Sequence, residues 1–464
     1  MLAAASVTTL PASIFRAYDI RGIVGETLTE EIVFLIGKAV GSLVRERGEN
    51  QICIARDGRL SGPSLLKALS EGILSSGCDV MNIGMAPTPL LYYATHVFEG
   101  HSGIMLTGSH NPPDYNGLKI VVQNTTLAEE QIEGLYQRII TQRFSNGSGT
   151  YREVNIVERY IREVTQGVQL ARPLNIVIDA GNGVTGMIAP ALFRALGCKV
   201  HELFCEVDGT FPHHHPDPSQ PENLRHLVKA VHDTNADIGL AFDGDGDRLG
   251  VVTCSGDIIF PDRLLILFAQ ALLSTQPNAK VIYDVKCTNH LDTIVRALQG
   301  EPIMWKTGHS LIKAKMAETR AELGGEMSGH FFFKDRWYGF DDALYAGARL
   351  LEIIAKEKNS DLLFSAIPNS VNTTELKVWV SDEEKFELMQ QLIASANFDE
   401  AKDIMTIDGL RVNFAEGWGL VRPSNTTPYL ILRFEALNQA ILEKIQLLFR
   451  EWMLSVKPDL VLPF

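Results

Sequence analysis

Cysteine is sparse and unpaired in this sequence: Cys53, Cys78, Cys198, Cys205, Cys254 and Cys287 lie far apart, with no CxxC pair among them. That spacing gives neither a disulfide framework nor a thiolate metal site, and most of these thiols sit in or beside apolar runs, as buried ones do. No run of about 18 apolar residues occurs, so no membrane span is expected. The opening MLAAASVTTLPASIF lacks the positive segment of a secretory signal. Basic charge is in deficit, with 42 Lys and Arg against 56 Asp and Glu for a net charge of −14. Broad binding to nucleic acid or to an anionic membrane needs a basic surface and is not expected. A reduced, cytoplasmic setting fits these absences. An anionic substrate would need Lys and Arg concentrated locally against the acidic background.

What is present is ordinary globular composition, 45% hydrophobic and 21% charged over 464 residues, enough for about three or four domains. Short apolar runs alternate with helical patterns. Strands are expected at 51–55, 79–83, 102–107 and 117–122, with helices at 64–75 and 88–98. The rhythm restarts with strands at 175–179, near 199–204 and at 238–242, and helices at 185–196 and 223–233. It restarts again near 258, with helices at 262–274, 289–298, 309–319 and 341–357 around strands at 280–285 and 302–306. Strands then dominate at 374–380, 404–414 and 428–435 before a closing helix at 438–455. This pattern implies three related α/β domains with mixed, largely parallel sheets, 1–155, 156–257 and 258–368, and a smaller C-terminal α+β domain, 369–464.

Four loops at strand ends carry chemistry. Asp243-Gly244-Asp245-Gly246-Asp247-Arg248 follows the apolar run IGLAF. If the segment is extended, its alternate carboxylates share one face and form an oxygen cage for a hard cation. An EF-hand does not fit, because Arg248 stands where Gly is needed and Cys254 where the bidentate Glu belongs. Thr107-Gly108-Ser109-His110-Asn111-Pro112-Pro113 is either a plain turn or a turn whose glycine lets a bulky group approach Ser109, with Lys119 downstream as an anion partner. In Gly325-Glu326-Met327-Ser328-Gly329-His330, the alternating Glu326, Ser328 and His330 suit the vicinal hydroxyls of a sugar, or form a polar hairpin face. Arg422-Pro423-Ser424-Asn425-Thr426-Thr427 offers an arginine fork and short polar donors fit for phosphate, or a capped polar turn.

Two further features point elsewhere. Gly181-Asn182-Gly183-Val184-Thr185-Gly186 has the spacing of a dinucleotide-binding turn, with Glu202 about 20 residues on, but also suits a tight strand-to-helix turn. The adjacent His213, His214 and His215 suggest metal, yet flanking prolines stiffen the segment, which favours a conformational loop.

The four loops, in this order, resemble those of the α-D-phosphohexomutases, most closely the bacterial phosphomannomutase/phosphoglucomutase type. TGSHNPPDYNGLK is similar to the phosphoserine loop, DGDGDR to the metal loop, GEMSGH to the sugar loop and RPSNTTP to the phosphate loop. FRAYDIRG (15–22) and TGHS (307–310) are similar to further family segments, so the resemblance covers nearly the whole chain. It implies four domains around a central cleft and transfer of phosphate between the C1 and C6 oxygens of a hexose through phospho-Ser109 and a bound hexose 1,6-bisphosphate. It further implies Mg²⁺ on Ser109, Asp243, Asp245 and Asp247, with Lys119, Arg248 and Arg21 supplying positive charge. Arg422, Ser424, Asn425 and Thr426 would hold the non-reacting phosphate, Glu326, Ser328 and His330 the sugar, and Tyr18 and Lys286 line the cleft. His309 and Lys119 are both candidates for proton transfer. The expected substrates are sugar phosphates of mannose, glucose or both. A phosphoglucosamine mutase is the near alternative; a nucleotide-dependent oxidoreductase and an aspartyl-phosphate phosphatase are remote ones.

Overall fold

The computed structural model describes residues 10–425 and 427–464, so Thr426 lies outside the described residues. Among the described residues, four β-sheets succeed one another along the chain. The first contains β1 (Ile20–Ile23), β2 (Gln51–Arg56), β3 (Asp79–Met85), β4 (Gly103–Leu106), β5 (Tyr115–Val122), β6 (Thr125–Thr126) and β7 (Tyr151–Glu153). Its order is β1-β5-β4-β2-β3-β7, parallel from β4 through β7 and antiparallel at the β5 and β1 edge. The second holds β8 (Asn175–Asp179), β9 (Lys199–Leu203), β10 (Ile238–Phe242), β11 (Leu249–Thr253) and β12 (Ile258–Ile259), in the order β12-β11-β10-β8-β9. The third holds β13 (Lys280–Asp284), β14 (Glu301–Trp305), β15 (Leu323–Gly325) and β16 (Phe331–Phe333), in the order β14-β13-β15-β16.

The fourth sheet, built from β17 (Val371–Asn372), β18 (Leu376–Trp379), β19 (Asp403–Met405), β20 (Leu410–Asn413), β21 (Gly417–Pro423) and β22 (Tyr429–Ala436), is antiparallel throughout. The α/β class with a C-terminal α+β unit is therefore the observed architecture. One apolar core runs from Cys53 and Leu91 through Ile178 and Leu240 to Phe268 and Leu350, joining the first three sheets. The fourth sheet packs on its own core around Leu432, Phe434 and Phe449.

Several local expectations change. The run 404–414 divides into β19 and β20, because Gly409 turns the chain at φ +80°. The expected helix at 185–196 is a 3₁₀ turn, Val184–Met187, followed by the helix Ala189–Ala195, with Pro190 in its first turn where no N–H is required. The helix expected from 341 starts at Ala343, since Asp342 caps it by accepting from Tyr345 N at 2.9 Å. Helices Glu30–Glu46, Glu130–Ile140 and Val157–Gly167 and strands β1 and β11 add to the expected elements.

Candidate functional site

Ser109 follows β4 on a turn held from behind by a buried arginine. Arg59 donates to the carbonyls of Ser109 (2.9 Å), Asn111 (2.6 Å) and Tyr115 (2.9 Å), and its Nε to Asp57 Oδ2 (3.2 Å). Gly108 must be glycine: a Cβ there would meet the Arg59 guanidinium at 2.4 Å. The resulting turn puts Ser109 at φ +50°, a costly conformation for a residue with a side chain, and buries it almost completely. Its Oγ donates to Asp243 Oδ2 at 3.1 Å.

The acidic loop converges by turning, where the sequence suggested an extended segment. Gly246 at φ +80° folds the chain so that Asp243 Oδ1 accepts from the N–H groups of Gly246 (2.9 Å), Asp247 (3.1 Å) and Arg248 (3.2 Å). The ligand atoms of Asp243, Asp245 and Asp247 lie within 4.8 Å of one another and all three residues are buried. Asp245 Oδ1 and Asp247 Oδ1 have no hydrogen-bond partner among the described residues. Buried carboxylates this close need a cation, so the donor set fits a hard divalent ion. Burial, then the charges of Asp247 and Asp245, push the Asp243 carboxyl well above its ordinary pKa. Lys119, on β5, reaches across from the first sheet to Asp245 Oδ2 at 2.6 Å and also pairs with Asp247. Burial works against its charge, yet those two carboxylates hold its pKa above that of ordinary lysine.

The third loop also turns: between β15 and β16, Glu326 N donates to His330 O at 2.9 Å and Gly329 N to Glu326 O at 3.0 Å. Glu326, Ser328 and His330 still meet, with His330 Nδ1 2.8 Å from Ser328 Oγ and 3.1 Å from Glu326 Oε2. His330 Nε2 is 3.3 Å from Asp247 Oδ1. Burial disfavours its charge, but Asp247 and Glu326 prevail and raise its pKa to about 9. His309 opens the helix His309–Thr319, stacks on His330 at 5.6 Å and meets Tyr18 edge-on at 5.6 Å.

Cations gather around this centre. Arg422, on β21, donates from Nε to Asp408 Oδ2 at 2.9 Å, and Lys286 Nζ to Glu375 Oε1 at 2.6 Å. Arg21 pairs with Asp19 and Asn111. Among the described residues, Arg21 Nε, Arg248 Nε and Arg422 Nη2 are buried N–H groups without a partner. Unused buried donors on three guanidiniums are costly unless an anion takes them. This is the local positive charge that the net charge of −14 demands. Ser424 N donates to Tyr429 O at 2.9 Å, which closes the fourth loop beside Arg422; Asn425 follows it there.

The structure thus brings Ser109, Lys119, Arg248, the three aspartates, His309 and the Glu326 loop together. Sequence reasoning missed Asp57, Arg59, Lys313, Asp341, Glu375 and Asp408, which hold those groups in place. Asp57-Gly58-Arg59, a charged cluster directly after β2, gave a signal of the same kind as the four loops. The glycine-rich turn is structural in its contacts: a Cβ on Gly183 would strike Gly244 O at 2.9 Å. His214 Nε2 lies 3.0 Å from Asp179 Oδ2 and His213 Nδ1 2.7 Å from Asn182 Oδ1, which ties the histidines to that turn.

A buried acidic cage facing a serine, among unsatisfied arginines, defines a centre for handling phosphorylated ligands. Family comparison agrees. Phosphoglucomutase/phosphomannomutase α/β/α domains I, II and III match residues 12–146, 158–256 and 260–369, and the family's C-terminal domain matches 375–451. The chain is 54% identical over 464 residues to a phosphomannomutase/phosphoglucomutase of Pseudomonas aeruginosa, covering 100% of both. It is 50% identical over 460 residues to a phosphoglucomutase of Neisseria gonorrhoeae, covering 98% of this chain and 100% of that one. A solved phosphoglucomutase/phosphomannomutase family protein from Burkholderia thailandensis superimposes with a TM-score of 0.95 at 52% identity, over 98% of this chain and 100% of that one. The chain belongs to the phosphoglucomutase/phosphomannomutase family and is a phosphohexomutase.

Proposed function

We propose that the protein interconverts hexose 1-phosphates and hexose 6-phosphates, of mannose, glucose or both, through phospho-Ser109 and a bound hexose 1,6-bisphosphate. The observation that carries this reading is the 3.1 Å contact between Ser109 Oγ and Asp243 Oδ2, which sets a buried hydroxyl on the rim of the acidic cage. Mg²⁺ held by Asp243, Asp245, Asp247 and the phosphorylated Ser109 would offset charge on the transferring phosphoryl group. Lys119, Arg248 and Arg21 add fixed positive charge at the same point. A sugar hydroxyl oxygen bonds to phosphorus as the bond from phosphorus to Ser109 Oγ breaks, giving the bisphosphate. After the bisphosphate turns over, Ser109 Oγ takes back the other phosphoryl group.

Arg422, Ser424, Asn425 and Thr426 grip the phosphate that is not reacting, in either orientation. Glu326, Ser328 and His330 bind the sugar hydroxyls, and Tyr18 and Lys286 line the approach. We assign domain limits of 1–155, 156–257, 258–368 and 369–464, a cytoplasmic location, and sugar phosphates as the partners, with neither nucleic acid nor membrane. The relatives' names favour mannose and glucose over glucosamine. The test is to charge the purified protein with glucose 1,6-bisphosphate, map the phosphopeptide, and assay glucose, mannose and glucosamine 1-phosphates. Phosphate on Ser109 with turnover of the first two is expected; phosphate on Asp243, or none, would defeat the proposal.

A further inference from the structure

Beside the acidic cage a second group of ligand atoms converges, and it differs in kind. Asp247, His330 and Asp341 each bring a carboxylate oxygen or an imidazole nitrogen to within 4.8 Å of the other two, and all three residues are buried. His309 adds a fourth donor: its Nδ1 is 3.4 Å from Asp341 Oδ2, and its ring stacks on that of His330. Hydrogen bonding does not account for this meeting. Asp247 Oδ1, Asp341 Oδ2 and His309 Nδ1 are buried atoms without a hydrogen-bond partner among the described residues. Each carboxylate already has its other oxygen engaged by a lysine: Lys313 Nζ donates to Asp341 Oδ1 at 2.8 Å, and Lys119 Nζ to Asp247 Oδ2. The oxygen left over on each lies against an imidazole, at 3.3 Å for Asp247 and His330 and 3.4 Å for Asp341 and His309. These are spacings of ligands that share an ion. With bonds of about 2.0–2.1 Å, the corners of a tetrahedral Zn²⁺ site stand roughly 3.3 Å apart. His330 is also oriented for the part. Its Nδ1 lies 3.1 Å from Glu326 Oε2, a carboxylate that can only accept, so Nδ1 keeps its proton and Nε2 is the nitrogen that meets a metal.

We propose that Asp247, His330, Asp341 and His309 form a second metal site, one that takes Zn²⁺ or a similar transition ion and switches the centre off. The donor set decides the ion. Asp243, Asp245 and Asp247 offer oxygen alone, which suits Mg²⁺, whereas paired imidazoles suit Zn²⁺ and its neighbours. The ion takes the place of the proton that His330 Nε2 otherwise holds against Asp247, so one proton is released as it binds. Asp247 belongs to both groups, so an ion in the second competes with the first for that carboxylate. His309 and His330 are at the same time withdrawn from the sugar. The site goes beyond the mutase reading and does not depend on it; only the loss of turnover does.

The experiment uses the full-length protein in excess Mg²⁺, with Co²⁺ as the probe, because a four-coordinate site with imidazoles gives Co²⁺ far stronger visible absorption than an oxygen cage does. One equivalent of Co²⁺ should produce that absorption and Zn²⁺ should displace it. Mutase turnover should fall as the site fills with either ion, and return after EDTA and fresh Mg²⁺. Asp341→Asn removes a ligand and should weaken Co²⁺ binding by more than the roughly tenfold that loss of an outer partner alone costs. Asp245→Asn, which alters the oxygen cage alone, should leave the absorption in place. If Asp341→Asn does not fold, His309→Gln gives the same reading. A weak spectrum that Asp245→Asn abolishes and Asp341→Asn spares would put the ion in the cage and overturn the proposal. So would the binding of no Co²⁺ in excess Mg²⁺, or a filled site with full turnover. A protein without mutase turnover would instead defeat the functional reading, since the Co²⁺ spectrum is recorded without substrate.

Discussion

Lys119 Nζ stands 2.6 Å from Asp245 Oδ2, which ties a strand of the first sheet to the acidic loop of the second. Thr88 Oγ1 donates to the same oxygen at 2.5 Å, so Asp245 is held from two sides while its other oxygen has no partner among the described residues. Asp245→Asn removes one of three charges around the cation. It should lower turnover by about 10²–10³-fold. EDTA should abolish the activity of the unsubstituted protein and Mg²⁺ restore it. Full activity after metal removal would show that the cage has another use.

Ser109→Ala deletes the hydroxyl on the rim of the cage, with its contacts to Asp243 and His110, while Arg59 still grips the backbone carbonyl. Turnover without added bisphosphate should vanish while the thermal midpoint stays close to its original value. Substantial activity with glucose 1-phosphate alone would remove Ser109 as phosphate carrier.

Arg422→Ala should weaken binding of glucose 1-phosphate and glucose 6-phosphate together, by about 1.5–3 kcal/mol for a lost charge-assisted contact. Both isomers must meet the same loop if the bisphosphate turns over in place. A KM that rises for one isomer and not the other would mean separate phosphate sites. Glu326→Ala should act differently, slowing turnover of glucose and mannose substrates alike while leaving phosphorylation of Ser109 intact.

Asp342 makes folding stability depend on pH. It caps the helix Ala343–Ile354 and accepts from Tyr160 Oη at 2.9 Å and Trp337 Nε1 at 3.2 Å, but burial outweighs these donors and raises its pKa from 3.8 to about 7. The folded state therefore holds a proton that the unfolded chain releases near 3.8. This group's contribution to stability falls as pH rises from about 4 to about 7, and the full penalty applies above that. Melting temperatures measured across this range should decline more steeply for the unsubstituted protein than for Asp342→Asn, whose residue at that position does not titrate. Parallel slopes would show that Asp342 is ionised throughout.

Much of the architecture was legible because strand and helix periods differ and each sheet restarts the alternation. IGLAF and NIVID lie wholly within strands, and the run at 309–319 is a helix at those bounds. The four loops were visible as clusters of polar or charged residues broken by glycine or proline at strand ends. How they converge was not. Alternation along an extended segment brings Asp243, Asp245 and Asp247 to one face on paper; in the protein, Gly246 at φ +80° folds the loop around Asp243 Oδ1. Asp341 and Lys313 were missed because neither lies in a loop with the pattern of the other four, and only tertiary packing sets them beside His309. Arg59 stood in a visible charged cluster after β2, but its partners did not show: it acts on carbonyls about 50 residues away.

Gly244 lies against Ser109 so closely that a Cβ there would come within 2.4 Å of the serine carbonyl. The nucleophile loop and the acidic loop thus touch main chain to main chain, with His330 of the third sheet completing the centre from the other side. No single domain contains a working fragment of it. During refolding, each sheet can regain its helices and strands while the centre is still in pieces. Return of catalysis should therefore lag behind return of the helical signal, and the interval between them measures how long the three units take to dock.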